Sequence, residues 1–113
     1  MLAKASLSEA VIRQAVLRDA HLGGASLHKS DARNVTARGC VLRRANLVDC
    51  DLSGADLESA DLRHADLSAA RFKRANLKGA RFDGALAVDT DIQGASLDPG
   101  LTWPPTEAPR PRR

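Results

Sequence analysis

Residues 50–70 read CDLSGADLESADLRHADLSAA, and within them Asp-Leu recurs every five residues, at 51–52, 56–57, 61–62 and 66–67. An α-helix repeats every ~3.6 residues and a strand every ~2. On a helix a five-residue step rotates by about 140°, which would wind the leucines around every side. On a flat strand an odd step sends successive side chains to opposite faces. A different backbone path must hold these leucines together.

The same phase extends in both directions. Stepping by five from Leu2 gives Leu2, Leu7, Ile12, Leu17, Leu22, Leu27, Ala32, Ala37, Leu42, Leu47, Leu52, Leu57, Leu62, Leu67, Phe72, Leu77, Phe82, Ala87, Ile92 and Leu97. Seventeen of these twenty are Leu, Ile or Phe, and no insertion shifts the count. With this residue as the centre, i, position i−2 is Ala in fourteen of nineteen units; the others carry Ser30, Val35, Cys40, Cys50 and Thr90. Position i−1 is often Asp or Asn, a residue suited to bonding its own nearby backbone. Six of the eight glycines stand at i+2, where a turn with positive φ is expected. A fixed short period of this kind marks a repeat architecture, in which stacked units bury what no single unit buries.

The pattern A-(D/N)-L-x-x resembles that of the pentapeptide-repeat family over about residues 2–98. The resemblance implies an all-β fold, a right-handed quadrilateral β-solenoid of about five coils with four pentapeptides in each. Centres and i−2 residues then point inward, and i−1, i+1 and i+2 face outward. Ala32 and Ala37 are adjacent small centres, and their coil is expected to be the softest. Residues 1–98 form the solenoid; residues 99–113, which hold all five prolines, form a terminal cap and a disordered Pro/Arg-rich tail. Leu101 and Trp103 are expected either to cap the last coil or to be buried in a twofold contact with a second chain. A homodimer through the C-terminal end follows from the second alternative.

Composition narrows the function. The chain carries a formal charge of +3, with 17 Lys and Arg against 14 Asp and Glu. Residues 1–100 hold 14 of those bases and 13 of those acids, so the body is near neutral and Arg110, Arg112 and Arg113 supply most of the excess. Lys4, Glu9 and Arg13 interrupt any leader-like apolar run, and no segment approaches a membrane span, so a cytoplasmic place is expected. Cys40 and Cys50 occupy the small inward slot and read as reduced core thiols, not as a disulfide or a metal pair.

Catalysis finds little support. His21, His28 and His64 fall in three different outward slots, and the aspartates are paced by the repeat. Gly23-Gly24 is a turn signal without the lysine of a phosphate loop. A leucine-filled solenoid leaves no substrate cavity. No catalytic residue, cofactor or metal is expected. Phe72 and Phe82 are core centres, so stacking platforms for single-stranded nucleic acid are missing, and such binding is expected only weakly, through the basic tail.

Grouping units twenty residues apart gives four faces. The face centred on Leu2, Leu22, Leu42, Leu62 and Phe82 carries Lys4, Arg43, Arg44, Arg63 and Arg81 against Asp61 and Asp83. The face centred on Leu7, Leu27, Leu47, Leu67 and Ala87 carries Glu9, Asp49, Asp66 and Asp89 against Lys29 alone, and displays Val48, Leu86 and Val88. This second, acidic face is the candidate surface for an unidentified protein partner. The expected function is a non-catalytic structural or protein–protein interaction module. The resemblance also implies an alternative, a DNA-mimicking protector of DNA gyrase or topoisomerase IV, although the near-neutral body departs from the strong acidity of those proteins. A third reading is an adaptor that acts through the tail.

Overall fold

The computed structural model describes residues 4–101 and 103–105; Leu2 and the basic tail residues Arg110, Arg112 and Arg113 lie outside them. The chain turns a corner at every fifth residue. In all but one of the corners from Leu7 to Ile92, that at Ala87, the amide of residue i+3 donates to the carbonyl of the centre, as from Ala55 to Leu52 at 3.0 Å and from Ala60 to Leu57 at 2.9 Å. The third residue of each turn, i+2, has positive φ in all nineteen units from Lys4 to Gly94, the arrangement of a type II turn. Thirteen of those residues are not glycine.

Between corners only one residue per unit pairs with a neighbouring coil. Single-residue parallel bridges join Ser6 to Ser26, Asp31 to Asp51, Asp56 to Asn76 and so on to Asn76 with Ser96, always twenty residues apart. Four units therefore make one coil. The β pairing is made entirely of such single bridges, and the described residues contain no continuous strand. The reason is geometric. A turn that takes up four residues in every five leaves only i−1 extended long enough to bridge.

The unit around Leu57 shows how the backbone is satisfied. Ala55 N–H closes the turn. Asp56 N–H donates back to Val35 of the preceding coil at 2.9 Å. Leu57 and Ser59 donate forward to Asn76 and Lys78 of the following coil, each at 2.8 Å. The fifth amide, Glu58 N–H, reaches Asp56 Oδ1 at 3.3 Å. That last contact is an Asx turn, and it recurs at Asn46, Asp51, Asp61, Asp66, Asn76 and Asp91. The preference for Asp or Asn before the centre is thus the acceptor that the i+1 amide needs.

Inside, the centres and the i−2 residues form one core. Leu57, Leu62, Leu67 and Phe72 are fully buried, as are Ala60, Ala65 and Ala70. The coil with small centres is filled as well: Ala32, Ala37, Val35 and Cys40 are buried, around an apolar void of only about 20 Å³. Exposure rises instead toward the ends of the stack, where Leu7, Ile12, Leu17, Ile92 and Leu97 are half-buried. Cys40 and Cys50 are both free and buried, and Cys50 Sγ lies 3.1 Å from Ser30 Oγ in the same slot one coil earlier. Among the described residues no helix is long and apolar enough to cross a membrane.

Outside, ion pairs staple coils together. Arg38 Nε donates to Asp56 Oδ2 at 2.6 Å and Arg38 Nη1 to Glu58 Oε2 at 3.0 Å, both in the next coil. Arg63 makes a two-pronged contact with Asp61, at 2.8 and 2.7 Å. Hydrogen bonding from Arg63 holds the Asp61 carboxyl below its ordinary value of 3.8, and Arg33 does the same for Asp31. Burial pushes Asp56 up, but Arg38, the Glu58 amide and Asn76 together outweigh it and the net direction is down.

Two predictions follow from this placement. Leu57→Asp or Leu62→Asp is expected to cost more than about 4 kcal/mol, since each puts an unpaired carboxylate in the core. Glu58→Ala is expected to cost about 0.5–1 kcal/mol, not zero, because it breaks a coil-to-coil ion pair. Thermal melts of the variants test both.

The aspartates give a pH dependence of definite sign. Their folded-state pKa lies below the unfolded one, so their stabilisation is present above about pH 4 and lost as pH falls through the depressed values. Melting temperature is expected to drop steeply below that point. Asp61→Asn keeps an acceptor for the Arg63 amide but loses the ion pair, so its acid limb is expected to be shallower in the same melts.

Candidate interaction face

The face that carries Glu9, Asp49, Asp66 and Asp89 is built from three parallel columns. Backbone bridges set the i−1 column as Ser6, Ser26, Asn46, Asp66 and Leu86. Coil-to-coil amides set the others: Glu9 donates to His28, Lys29 to Val48, Asp49 to Ser68 and Ala69 to Val88. Neighbours within a column stand about 4.8 Å apart, the spacing of hydrogen-bonded chains. Asp49 and Asp89 share the i+2 column two coils apart, with Ala69 between them, and Asp66 stands between them in the i−1 column.

The electrostatics of this face differ from those of the other three. Elsewhere most acids are met by bases: Asp31 by Arg13 and Arg33, Asp51 by Arg71, Asp56 and Glu58 by Arg38, Asp61 by Arg63, Asp83 by Arg81 and Asp91 by Lys73, while the Asp98 carboxylate accepts only from Gly79 N–H and Asp19 makes no ion pair among the described residues. Among the described residues, Glu9, Asp49 and Asp89 make no ion pair and accept no side-chain hydrogen bond. Asp66 accepts only from its own turn, from Ser68 N–H at 3.1 Å. The charge of this face is therefore left open to solvent. Beside Asp89, Leu86 and Val88 are 45% and 41% exposed. Val48 is only half-buried in the same row, a correction to its reading as a displayed residue.

Reasoning from the sequence passed over two apolar residues. Val11 and Val16 are 67% and 70% exposed, both at i−1 near the amino-terminal end. Their slot was the available signal, because i−1 faces outward whatever residue fills it. The histidines take three separate places. His21 and His64 are exposed and His28 is half-buried. The His64 ring lies across Gly84, where any β-carbon would meet it. Burial pushes the Cys40 and Cys50 thiols up to about 11, which opposes thiolate chemistry near neutrality. Among the described residues no cluster of His, Cys, Asp or Glu is arranged to hold a metal ion. A surface hollow of about 450 Å³ is an open polar groove beside Arg13, Gln14, Arg33 and Asn34.

At the carboxy-terminal end Trp103 meets Phe82 edge to face, with ring centroids 5.3 Å apart and planes at 89°. The ring covers the last large aromatic centre. Leu101 is 36% exposed and borders the same hollow as Phe82 and Pro105, and its N–H closes a turn onto Asp98 O.

Stacked coils of five-residue units, filled by the centre and the i−2 side chain, define a repeat solenoid that presents flat faces and no enclosed site. The chain belongs to the pentapeptide-repeat family: the family model of pentapeptide repeats, in eight copies, matches residues 5–44, 25–63, 38–74 and 65–98. No curated protein sequence matches the chain. Among solved structures it is similar to HetL, a pentapeptide repeat protein involved in heterocyst differentiation regulation from the cyanobacterium Nostoc sp. strain PCC 7120. That likeness has 33% identity over 81% of this chain and 48% of HetL, with a TM-score of 0.67. A pentapeptide repeat protein of the Arabidopsis thaliana thylakoid lumen, AT2G44920, shares 24% identity over 83% of this chain and 59% of its own, with a TM-score of 0.57. The chain thus spans about half the length of these relatives.

The Phe82–Trp103 contact is open to direct measurement. Trp103 is the sole tryptophan, so its emission is expected to lie to the blue of free indole and to shift red on unfolding. Trp103→Ala is expected to cost about 0.5–1.5 kcal/mol beyond the area it uncovers, read from the melting temperature.

Proposed function

We propose that the protein is a non-catalytic structural or protein–protein interaction module whose docking face is the acidic one. The finer geometry that goes with this reading is a right-handed four-sided solenoid of about five coils, since the described repeat occupies residues 4–101 at twenty residues per coil. The observation that carries the proposal is the contrast in pairing. Most acids on the other three faces are neutralised in place, Asp19 and Asp98 excepted, while Glu9, Asp49 and Asp89 on this one face are not, and exposed Leu86 and Val88 adjoin them. Such a surface suits a partner with a basic patch flanking a small apolar one. The flat, cavity-free body supports binding over catalysis. A cytoplasmic setting and an association of two copies through the Trp103 end are parts of the same proposal.

Charge reversal tests it. Asp49→Lys with Asp89→Lys is expected to abolish recovery of partners from native cell extract, while Arg43→Glu with Arg44→Glu on the basic face leaves it unchanged. Equal loss from both pairs would remove the face assignment. These substitutions lie in outward slots, so circular dichroism is expected to be the same for all.

A further inference from the structure

We propose that the groove beside Arg13 is an anion site, which takes a small carboxylate-bearing molecule where other turns hold their own aspartate. It lies on a different face from the docking role above and holds or fails independently of it.

The repeat contains filled copies of the same arrangement. In the turn centred on Ala32, Asp31 Oδ1 accepts from Arg33 N–H at 3.3 Å and from Arg33 Nε at 2.9 Å, and Oδ2 accepts from Arg33 Nη2 at 2.9 Å. The turn centred on Leu62 repeats the set: Asp61 accepts from Arg63 N–H at 3.2 Å and from its Nε and Nη2 at 2.8 and 2.7 Å. One arginine at i+1 thus offers three donors to a single carboxylate, a backbone amide and the fork of its own guanidinium.

One coil before Asp31 and Arg33, in the same phase, stands Val11-Ile12-Arg13. Val11 offers no acceptor, and among the described residues Arg13 N–H makes no hydrogen bond. The Arg13 guanidinium has only a long contact, from Nε to Asp31 Oδ2 at 3.4 Å, and Arg33 already holds that carboxylate. Two arginines therefore share one acid and leave one positive charge in excess. The donors that close on Asp31 and Asp61 are open here.

The groove frames these donors. Val11, Arg13, Gln14, Arg33 and Asn34 line an open hollow of about 450 Å³, enough for a small organic acid. Among the described residues neither the Gln14 nor the Asn34 carboxamide makes a hydrogen bond, so both can bond further hydroxyl or carboxyl groups of a ligand. Val11, 67% exposed, supplies an apolar edge. Glu9, two residues before Val11, stands across the corner and does not line the hollow. Val-Leu-Arg recurs at 16–18 and 41–43, but the next residue is Asp19 in one and Arg44 in the other, so neither sets a carboxamide beside the open amide.

The test titrates the full ¹⁵N-labelled chain, at constant ionic strength, with citrate, acetate or inorganic phosphate. Citrate is expected to move the amides of Arg13 and Gln14 saturably, and acetate to move the same amides at higher concentration. The Arg63 amide, already held by Asp61, is expected to stay still. Arg13→Gln is expected to weaken citrate binding about tenfold, the loss of charge-assisted hydrogen bonds. Arg18→Gln is expected to leave it within about twofold, as a screened charge outside the groove. Val11→Asp is expected to fill the site from within: without citrate its Arg13 amide is displaced as citrate displaces it in the wild type, and citrate then moves it no further. Val11→Ala leaves the amide open and is expected to keep binding. These substitutions lie in outward slots, and the amides of Leu57 and Leu62 are expected to be the same in all. Absence of a saturable shift, shifts spread over exposed arginines in general, or equal losses from Arg13→Gln and Arg18→Gln overturn the proposal. Phosphate binding as tightly as citrate overturns the carboxylate assignment.

Discussion

One backbone hydrogen bond, from the amide of i+3 to the carbonyl of the centre, and one left-handed residue inside the turn it closes, set every other feature of this molecule. The turn points each centre at the same axis, which is why a five-residue period can bury its leucines. It also uses up the backbone that would otherwise form strands, so that cohesion comes from coil-to-coil bonds made one unit at a time. It leaves the i+1 amide without a backbone partner, and the aspartate or asparagine before the centre supplies one. The left-handed conformation is imposed by the coil and not chosen by the residue. Thirteen side chains that disfavour it adopt it, at a cost on the order of 1–2 kcal/mol each before compensation by the ladder.

Much of this was legible in the sequence, because it follows from sterics within a single unit. A residue that must fill the interior is Leu, Ile or Phe, and the one tucked beside it is Ala, Ser, Cys or Val. The four-residue spacing between Leu52 and Asp56 was enough to place one inside and the other outside. What was not legible lies between residues twenty apart. The Asn34 side chain lies across Gly54, where a β-carbon would collide with its amide oxygen, so Gly54 serves its neighbour's side chain as well as its own turn. The Ser30–Cys50 contact and the Arg38 staple to Asp56 and Glu58 have the same origin. Each depends on which rotamer reaches across one coil, and no local pattern encodes that. The absence of continuous strands among the described residues escaped for a simpler reason, since a period counts residues and does not say how many of them the turn consumes.

The acidic face divides in the same way. Its charge could be summed once units were sorted twenty apart, but whether an acid is open or already paired depends on the reach of arginines from other units. Asp51 and Asp49 are two residues apart, yet Arg71 stands by the first and no described base by the second. Leu86 and Val88 emerge as read, while Val48 is half-buried. Val11 and Val16 were missed although their outward slot was known, because they stand on the two faces with the smaller charge excesses, where no acidic or basic surface drew notice.

The coil-to-coil bonds also have a direction. Each unit sends two amides toward the following coil, from the centre and from i+2, and only one, from i−1, toward the preceding coil. The backbone dipoles therefore do not cancel along the stack axis. Wherever such a stack stops, the rim on its amino-terminal side shows mostly carbonyl oxygens and the rim on its carboxy-terminal side mostly N–H groups. This is the reverse of an α-helix, whose N–H groups gather at its amino terminus. The two rims of the molecule are chemically unlike, one an acceptor surface and the other a donor surface. A strand edge or an ion that satisfies one cannot satisfy the other, and the polarity holds whatever side chains decorate the four faces.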